Sequence, residues 1–307
     1  MTIASLDKAV LGPSALWTYL VVISGGWGSS FLFTRLIGNS VPPFAYAATR
    51  GFVAMAALLI WLAVWTTAVT GWREWLGDRT MLRHIVVLGT TNGWLANVLV
   101  LVAVMHIDTG VVAMVQAGVP LMVAVMAHFI FDEEPLQPRQ LGGLAAGIMG
   151  IVLIVGPLAA AGRRELFIGI AAMLLTALSY AFGTVYGRRI ATKNPAALAC
   201  GQQAFGAVVA MTISIAIETP ALSAQPIRIW VFFAVLGVVC SAVPTVLYLR
   251  LLGRATAVHS SLVAYLQPVW ATFLGFAVLG ERVRPLALVG VSLVIVGIAI
   301  SSRSRLR

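Results

Sequence analysis

The chain of 307 residues is 60% hydrophobic and only 10% charged, with a mean hydropathy of +0.98. A soluble domain carries about a quarter charged residues, so this composition excludes a soluble enzyme or regulator and points to a chain that lives in a bilayer. The formal net charge of +10 invites a nucleic-acid partner, but the placement of the basic residues gives it another origin.

At ~20 residues per crossing, ten spans fit, near 16–34, 44–66, 84–105, 109–131, 138–156, 167–187, 196–217, 229–252, 257–279 and 285–302. The predicted fold is an all-α polytopic membrane protein. With the N-terminus inside, thirteen Lys and Arg fall on the cytoplasmic side and seven on the far side. That is the positive-inside bias, which places both termini in the cytoplasm and accounts for the basicity without nucleic acid. The first span lacks a signal peptide's charged start and small-residue cleavage site. Cys200 and Cys240 lie in apolar segments with neither metal nor disulfide spacing.

The first span carries Gly25-Gly26-Trp27-Gly28-Ser29-Ser30-Phe31, a small-residue run that lets a neighbouring helix or a ligand approach the backbone. Pro42-Pro43 opens the second, and Arg50 follows six residues into it, about 9 Å deep at ~1.5 Å per residue. At that depth an arginine either snorkels to the interface or clamps a carboxylate through its planar fork. The third holds Asn92, Trp94 and Asn97. The two amides are five residues apart, ~140° around an α-helix, so they are not expected to face one point. Gln116 stands one turn before Pro120 in the fourth span, Tyr180 in the sixth, Gln202 and Gln203 in the seventh. Tyr265, Gln267, Pro268 and Trp270 cluster in the ninth.

These features recur. An offset of 148 pairs Gly89 with Gly237, Leu99 with Leu247, Pro120 with Pro268 and Glu133 with Glu281. An offset of 153 pairs Trp27 with Tyr180, Arg35 with Arg188, Arg50 with Gln203 and Phe52 with Phe205. A five-helix unit is thus written twice, over 1–157 and 158–307. Because five is odd, the second copy enters the membrane from the opposite side, an inverted repeat. A mid-helix proline frees the carbonyl four residues back, here Gln116 and Ala264. Paired breaks of this kind point to a transporter's binding site, with Pro120 and Pro268 as the expected hinges.

The glycine-rich first span, Pro42-Pro43 leading to Arg50, Pro120 with Glu133, and Pro268 with Gly280-Glu281-Arg282 resemble the drug/metabolite transporter superfamily. Within it they resemble the ten-helix EamA-type branch, over nearly the whole chain. The first copy departs from the family's Gly-Glu-Arg, reading Asp132-Glu133-Glu134-Pro135. The resemblance implies a metabolite exporter of the inner membrane with a cavity between its halves. It looks most like an exporter of amino acids.

The candidate substrate-binding set is Trp27, Ser30, Arg50, Asn92, Trp94, Gln116, Tyr180, Gln203, Tyr265, Gln267 and Trp270. Aromatics with a few polar groups are the usual lining of a small-molecule site. Asp108, Glu133, Glu134, Glu165, Glu218 and Glu281 sit at span ends or in loops, so no mid-membrane carboxylate offers proton coupling, and uniport or exchange is expected. His106, His128 and His259 lie near span ends. No cofactor or metal is expected; the partners are a small-molecule substrate and the lipid bilayer, and nothing requires an oligomer. Rival readings are a drug or nucleobase exporter, separated by whether Arg50 binds a zwitterion, and a membrane-embedded enzyme, which would need an acid or histidine pair at depth.

Overall fold

A computed structural model of the chain describes residues 12–65, 78–132, 164–190, 195–219 and 222–281, with isolated positions between 138 and 153 and between 289 and 296. Every regular element among the described residues is helical. In order they are α1 (Pro13–Ile37), α2 (Pro43–Trp65), α3 (Arg79–Leu88), α4 (Leu95–His106), α5 (Thr109–Gln116) and α6 (Val119–Ile130), then α7 (Arg164–Ile190), α8 (Pro195–Ile217), α9 (Ile227–Gly237), α10 (Val243–Leu252), α11 (Ala257–Ser261) and α12 (Val263–Leu279). Wide π-helical turns, Gly89–Trp94 and Val238–Ala242, join α3 to α4 and α9 to α10. Taken as continuous runs, these make eight helices long and apolar enough to cross a membrane. They coincide with the first four and the sixth to ninth predicted spans. The predicted fifth and tenth spans, Glu133, Glu134 and the boundary at 157 fall mostly or wholly outside the described residues.

Prolines open α1, α2 and α8, where the missing N–H has no intrahelical partner to lose. α12 ends on Gly280 at φ 66°, a left-handed conformation that a side chain would strain. Two acids close helix starts from a distance. Glu218 accepts from the backbone N–H of Phe44 and Ala45, both at 2.9 Å, and from Ser214 Oγ at 2.7 Å. Glu281 accepts from Thr109 N at 3.2 Å and Thr109 Oγ1 at 2.7 Å. Away from water, a helix N-terminus must be capped by protein groups, and these carboxylates do it.

The helices distribute polarity as a bilayer demands. Phe129, Phe167 and Ile227 are exposed, whereas Arg50, Asn97, Gln116, Gln202, Gln203 and Gln267 are buried. Helix pairs that pack include α2 with α8, α1 with α12, α5 with α12, α4 and α6 with α7, α1 with α10, α2 with α9, and α3 with α8. Without a hydrophobic drive between helices in lipid, close backbone approach supplies the packing. At Gly28 a Cβ would stand 2.7 Å from Trp270 Cβ and 3.0 Å from Gln267 O. The glycine run of the first span is therefore used for helix crossing on this side.

The breaks do not fall at the prolines. In the first half the chain leaves the α-helix at Ala117 and Gly118, and Pro120 sits in the first turn of α6. There Gly118 N bonds to Val115 O and Leu121 N to Gly118 O, three residues back instead of four. In the second half the break is at Leu262, six residues before Pro268, which stays inside α12. The proline ring clashes with the preceding turn, so the chain yields upstream of it. The helices are thus interrupted at Ala117–Gly118 and at Leu262, just upstream of Pro120 and Pro268.

Candidate functional site

The helix breaks and both wide turns border one cavity, with about 880 Å³ free of protein atoms, part of it open to solvent. Around it stand Trp27, Ser30 and Phe31 from α1, Arg50 from α2, Tyr180 and Thr184 from α7, Gln202 and Gln203 from α8, and Thr245, Tyr248 and Leu249 from α10. The first wide turn and α4 add Asn92, Asn97 and Val100, and the second wide turn adds Ser241. The broken helices add Gln116, Val119, Ser260, Ser261, Val263, Ala264 and Gln267.

Arg50 does not snorkel. It is only 6% exposed, and its Nε donates to Ser241 Oγ at 2.8 Å, Nη1 to Tyr46 Oη at 3.2 Å and Nη2 to Cys240 O at 3.3 Å. The local sequence prepares this. Pro244 has no N–H to offer the carbonyl four residues back, Cys240, and the guanidinium takes that carbonyl instead. Ser241 Oγ in turn donates to Leu236 O at 2.7 Å. All three partners are neutral. Five N–H bonds in a fixed fork leave two free after these three contacts.

Across the cavity Gln116 Nε2 donates to Gln267 Oε1 at 2.9 Å, joining the end of α5 to α12. Trp27 meets Tyr248 edge to face, with ring centroids 4.9 Å apart, and Tyr248 Oη pairs with Thr184 Oγ1 at 2.7 Å. Asn92 and Asn97 both line the cavity, against expectation. The backbone leaves the helical region at Gly93 (φ −96°, ψ −114°) inside the first wide turn. Winding with i to i+5 bonds brings residues five apart onto one side. The Asn92 amide lodges where a side chain at Gly183 would be.

Of the predicted set, Trp27, Ser30, Arg50, Asn92, Gln116, Tyr180, Gln203 and Gln267 are brought together. Trp94, Tyr265 and Trp270 are not. Trp94 packs against Phe44 with centroids 6.2 Å apart, Tyr265 is buried in an apolar cluster with Leu20 and Ile23, and Trp270 lies against Gly25 and Gly28. Sequence reasoning missed Thr184, Ser241, Thr245, Tyr248, Ser260 and Ser261. Ser241 carried a signal, three residues before a proline and beside a carbonyl that the proline would leave unpaired. Among the described residues no cluster of three His, Cys, Asp or Glu is placed to hold a metal.

The EamA-like transporter family matches residues 13–156 and again residues 167–303. A WAT1-related chloroplastic protein of Arabidopsis thaliana is 26% identical over 92% of this chain and 68% of its own length. The uncharacterized inner membrane transporter YedA of Escherichia coli is 26% identical over 89% of this chain and 86% of its own. The uncharacterized transporter YoaV of Bacillus subtilis is 21% identical over 89% and 91%. One crystal structure, at 18% identity, superposes on 96% of this chain and all of its own with a TM-score of 0.75, which shows a shared fold. With its two family matches, its membrane-spanning helices and a polar cavity among them, the chain belongs to the EamA-like transporter family and is a multi-pass membrane transporter.

Proposed function

We propose that the protein is an inner-membrane exporter of amino acids or closely related carboxylate metabolites, working by alternating access. The observation that carries this is Arg50: a buried guanidinium on the cavity, with two N–H bonds uncommitted and only neutral partners. The rest of the wall is amides, hydroxyls, aromatic rings and aliphatic side chains, so a substrate carboxylate is the natural counter-charge.

Alternating access follows from ten helices arranged as two inverted five-helix repeats. The packing pairs support that arrangement. Exchanging the halves turns α1 against α12 into α7 against α5 and α6, turns α2 against α9 into α8 against α3, and leaves α2 against α8 unchanged. Each half also has its wide turn at the same place, and each has a break in the helix that follows. Rocking about such a pair of breaks opens the site to one side at a time. Transport is uniport or exchange, because no Asp or Glu lines the cavity among the described residues. Both termini lie in the cytoplasm, so cysteines introduced at Ser5 and Ser304 resist an impermeant thiol reagent in intact cells, and labelling of either reverses the topology.

A second reading is export of a nucleobase-like compound, favoured by the buried amide oxygens, which also suit ring N–H groups. Uptake of a panel of radiolabelled amino acids and nucleobases into proteoliposomes, with and without a pH gradient, separates the two. Accumulation of nucleobases alone would overturn the carboxylate reading.

A further inference from the structure

The cavity carries a second, unassigned recognition feature besides Arg50. Asn92 Oδ1, Gln116 Oε1 and Gln202 Oε1 are buried and accept no hydrogen bond, although all three residues line the cavity. Reversing the amides of the Gln116–Gln267 pair does not remove the feature. Whichever amide donates, the oxygen of the donating residue gets nothing from its partner. Asn92 Oδ1 packs against Gly183. Buried polar atoms are nearly always paired, so the two unpaired glutamine oxygens, on Gln116 and Gln202, describe what belongs in the cavity: a molecule with N–H groups.

Charge then narrows the class. Arg50 is the sole ionised side chain around the cavity among the described residues, and no carboxylate accompanies it. A ligand carboxylate brings the site to neutrality. An ammonium on the same ligand returns it to a net positive charge, and only neutral oxygens are there to receive it. In a site only partly open to solvent that second charge is less well compensated than in bulk water, whereas a neutral N–H satisfies an amide oxygen without adding charge.

We infer that the site selects a monoanion, a carboxylate whose nitrogen is a neutral N–H donor, over the free zwitterion. N-acylated and N-carbamoylated amino acids are the chemical class. The inference rests on the reading of the cavity as the transport site and names which relatives of amino acids it takes.

Binding to the purified full-length protein in nanodiscs at neutral pH tests it, using phenylalanine, leucine and threonine. Each is offered as the free amino acid, the N-acetyl derivative, the amino acid amide and the deaminated acid. The N-acetyl form of at least one should bind about tenfold more tightly than its free amino acid and its deaminated acid, the size of one or two neutral hydrogen bonds. The amide, lacking the carboxylate, should bind weakest. In Gln116→Leu and Gln202→Leu the advantage of the N-acetyl form over the deaminated acid should shrink. Free amino acids binding as well as or better than their N-acetyl forms would overturn the inference and leave the amino-acid reading standing. Binding by no member of the panel would remove both. The ligand comparison on the unaltered protein decides the matter even where a variant fails to fold.

Discussion

Arg35 and Arg188 close the same helix end in the two halves of the chain. Arg35 Nη1 donates to the carbonyl of Val104 near the end of α4, and Arg188 Nη1 to that of Leu252 at the end of α10, at 3.4 Å. The arginines are 153 residues apart and the carbonyls 148, the two offsets of the repeat. A cation at a helix C-terminus both fills an orphan carbonyl and meets the negative end of the dipole.

Removing either arginine should therefore cost about the same. Arg35→Ala and Arg188→Ala should each destabilise the protein by roughly 1 kcal/mol, the scale of a half-buried charge at a helix end. Arg189→Ala, at an exposed neighbouring position, should change little. Thermal unfolding in detergent, with the three variants side by side, checks this; a large shift for Arg189→Ala would count against it.

Arg50→Lys should fail to restore carboxylate binding, because an ammonium is a point charge without the fork. Losing a charge-assisted pair in a partly dry site weakens binding by about ten- to hundredfold. Gln203→Ala, at the equivalent place in the second half, loses only neutral contacts and should weaken it by about tenfold or less. Arg50 also ties α2 to the second wide turn, so each variant's melting temperature must accompany its affinity. Wild-type transport by a folded Arg50→Gln protein would return Arg50 to a purely structural role.

Counterflow exchange in sealed vesicles should persist when a protonophore collapses the pH gradient. Glu218 and Glu281 are engaged as helix caps, and neither lines the cavity. Loss of exchange would mean that an acid or histidine at a span end carries a proton.

The crossing of α1 and α12 gives a packing test. Gly28→Ala places a Cβ 2.7 Å from Trp270 Cβ, which should destabilise by about 1–3 kcal/mol, the cost of overpacking. Trp270→Ala should not rescue it, because the clashing Cβ remains. Gly25→Ala meets the Trp270 ring at 3.5 Å, an ordinary contact, and should be tolerated. Melting temperatures of the single and double variants report the difference.

Hydropathy marked the eight described spans well because a bilayer imposes length and apolarity together. Arg50, Gln116, Gln203 and Gln267 were legible as cavity residues for a related reason: a polar side chain at depth has few places to go but a polar interior. Aromatics carry no such constraint. Tyr265 and Trp94 satisfy themselves in apolar packing as readily as on a cavity wall, so composition could not tell them from Trp27 or Tyr180. Asn97 was lost for a geometrical reason. Its facing depends on helical phase, and the wide turn at Gly89–Trp94 shifts that phase by an amount that spacing alone does not reveal. The breaks upstream of Pro120 and Pro268 were misplaced because a proline marks which turn is weakened, not where the chain gives way.

On the transport proposed above, Arg50, the one ionised side chain on the cavity among the described residues, also decides where voltage acts. Loaded with a monoanion, the centre of the protein is neutral and crosses the field without electrical work. Empty, it is the positive body, and a membrane potential is worth ~2.3 kcal/mol per charge per 100 mV for full passage. An inside-negative potential therefore pulls the unloaded cavity back toward the cytoplasm and leaves the loaded step indifferent. In an exporter built this way, the cell's electrical energy resets the carrier for its next cargo.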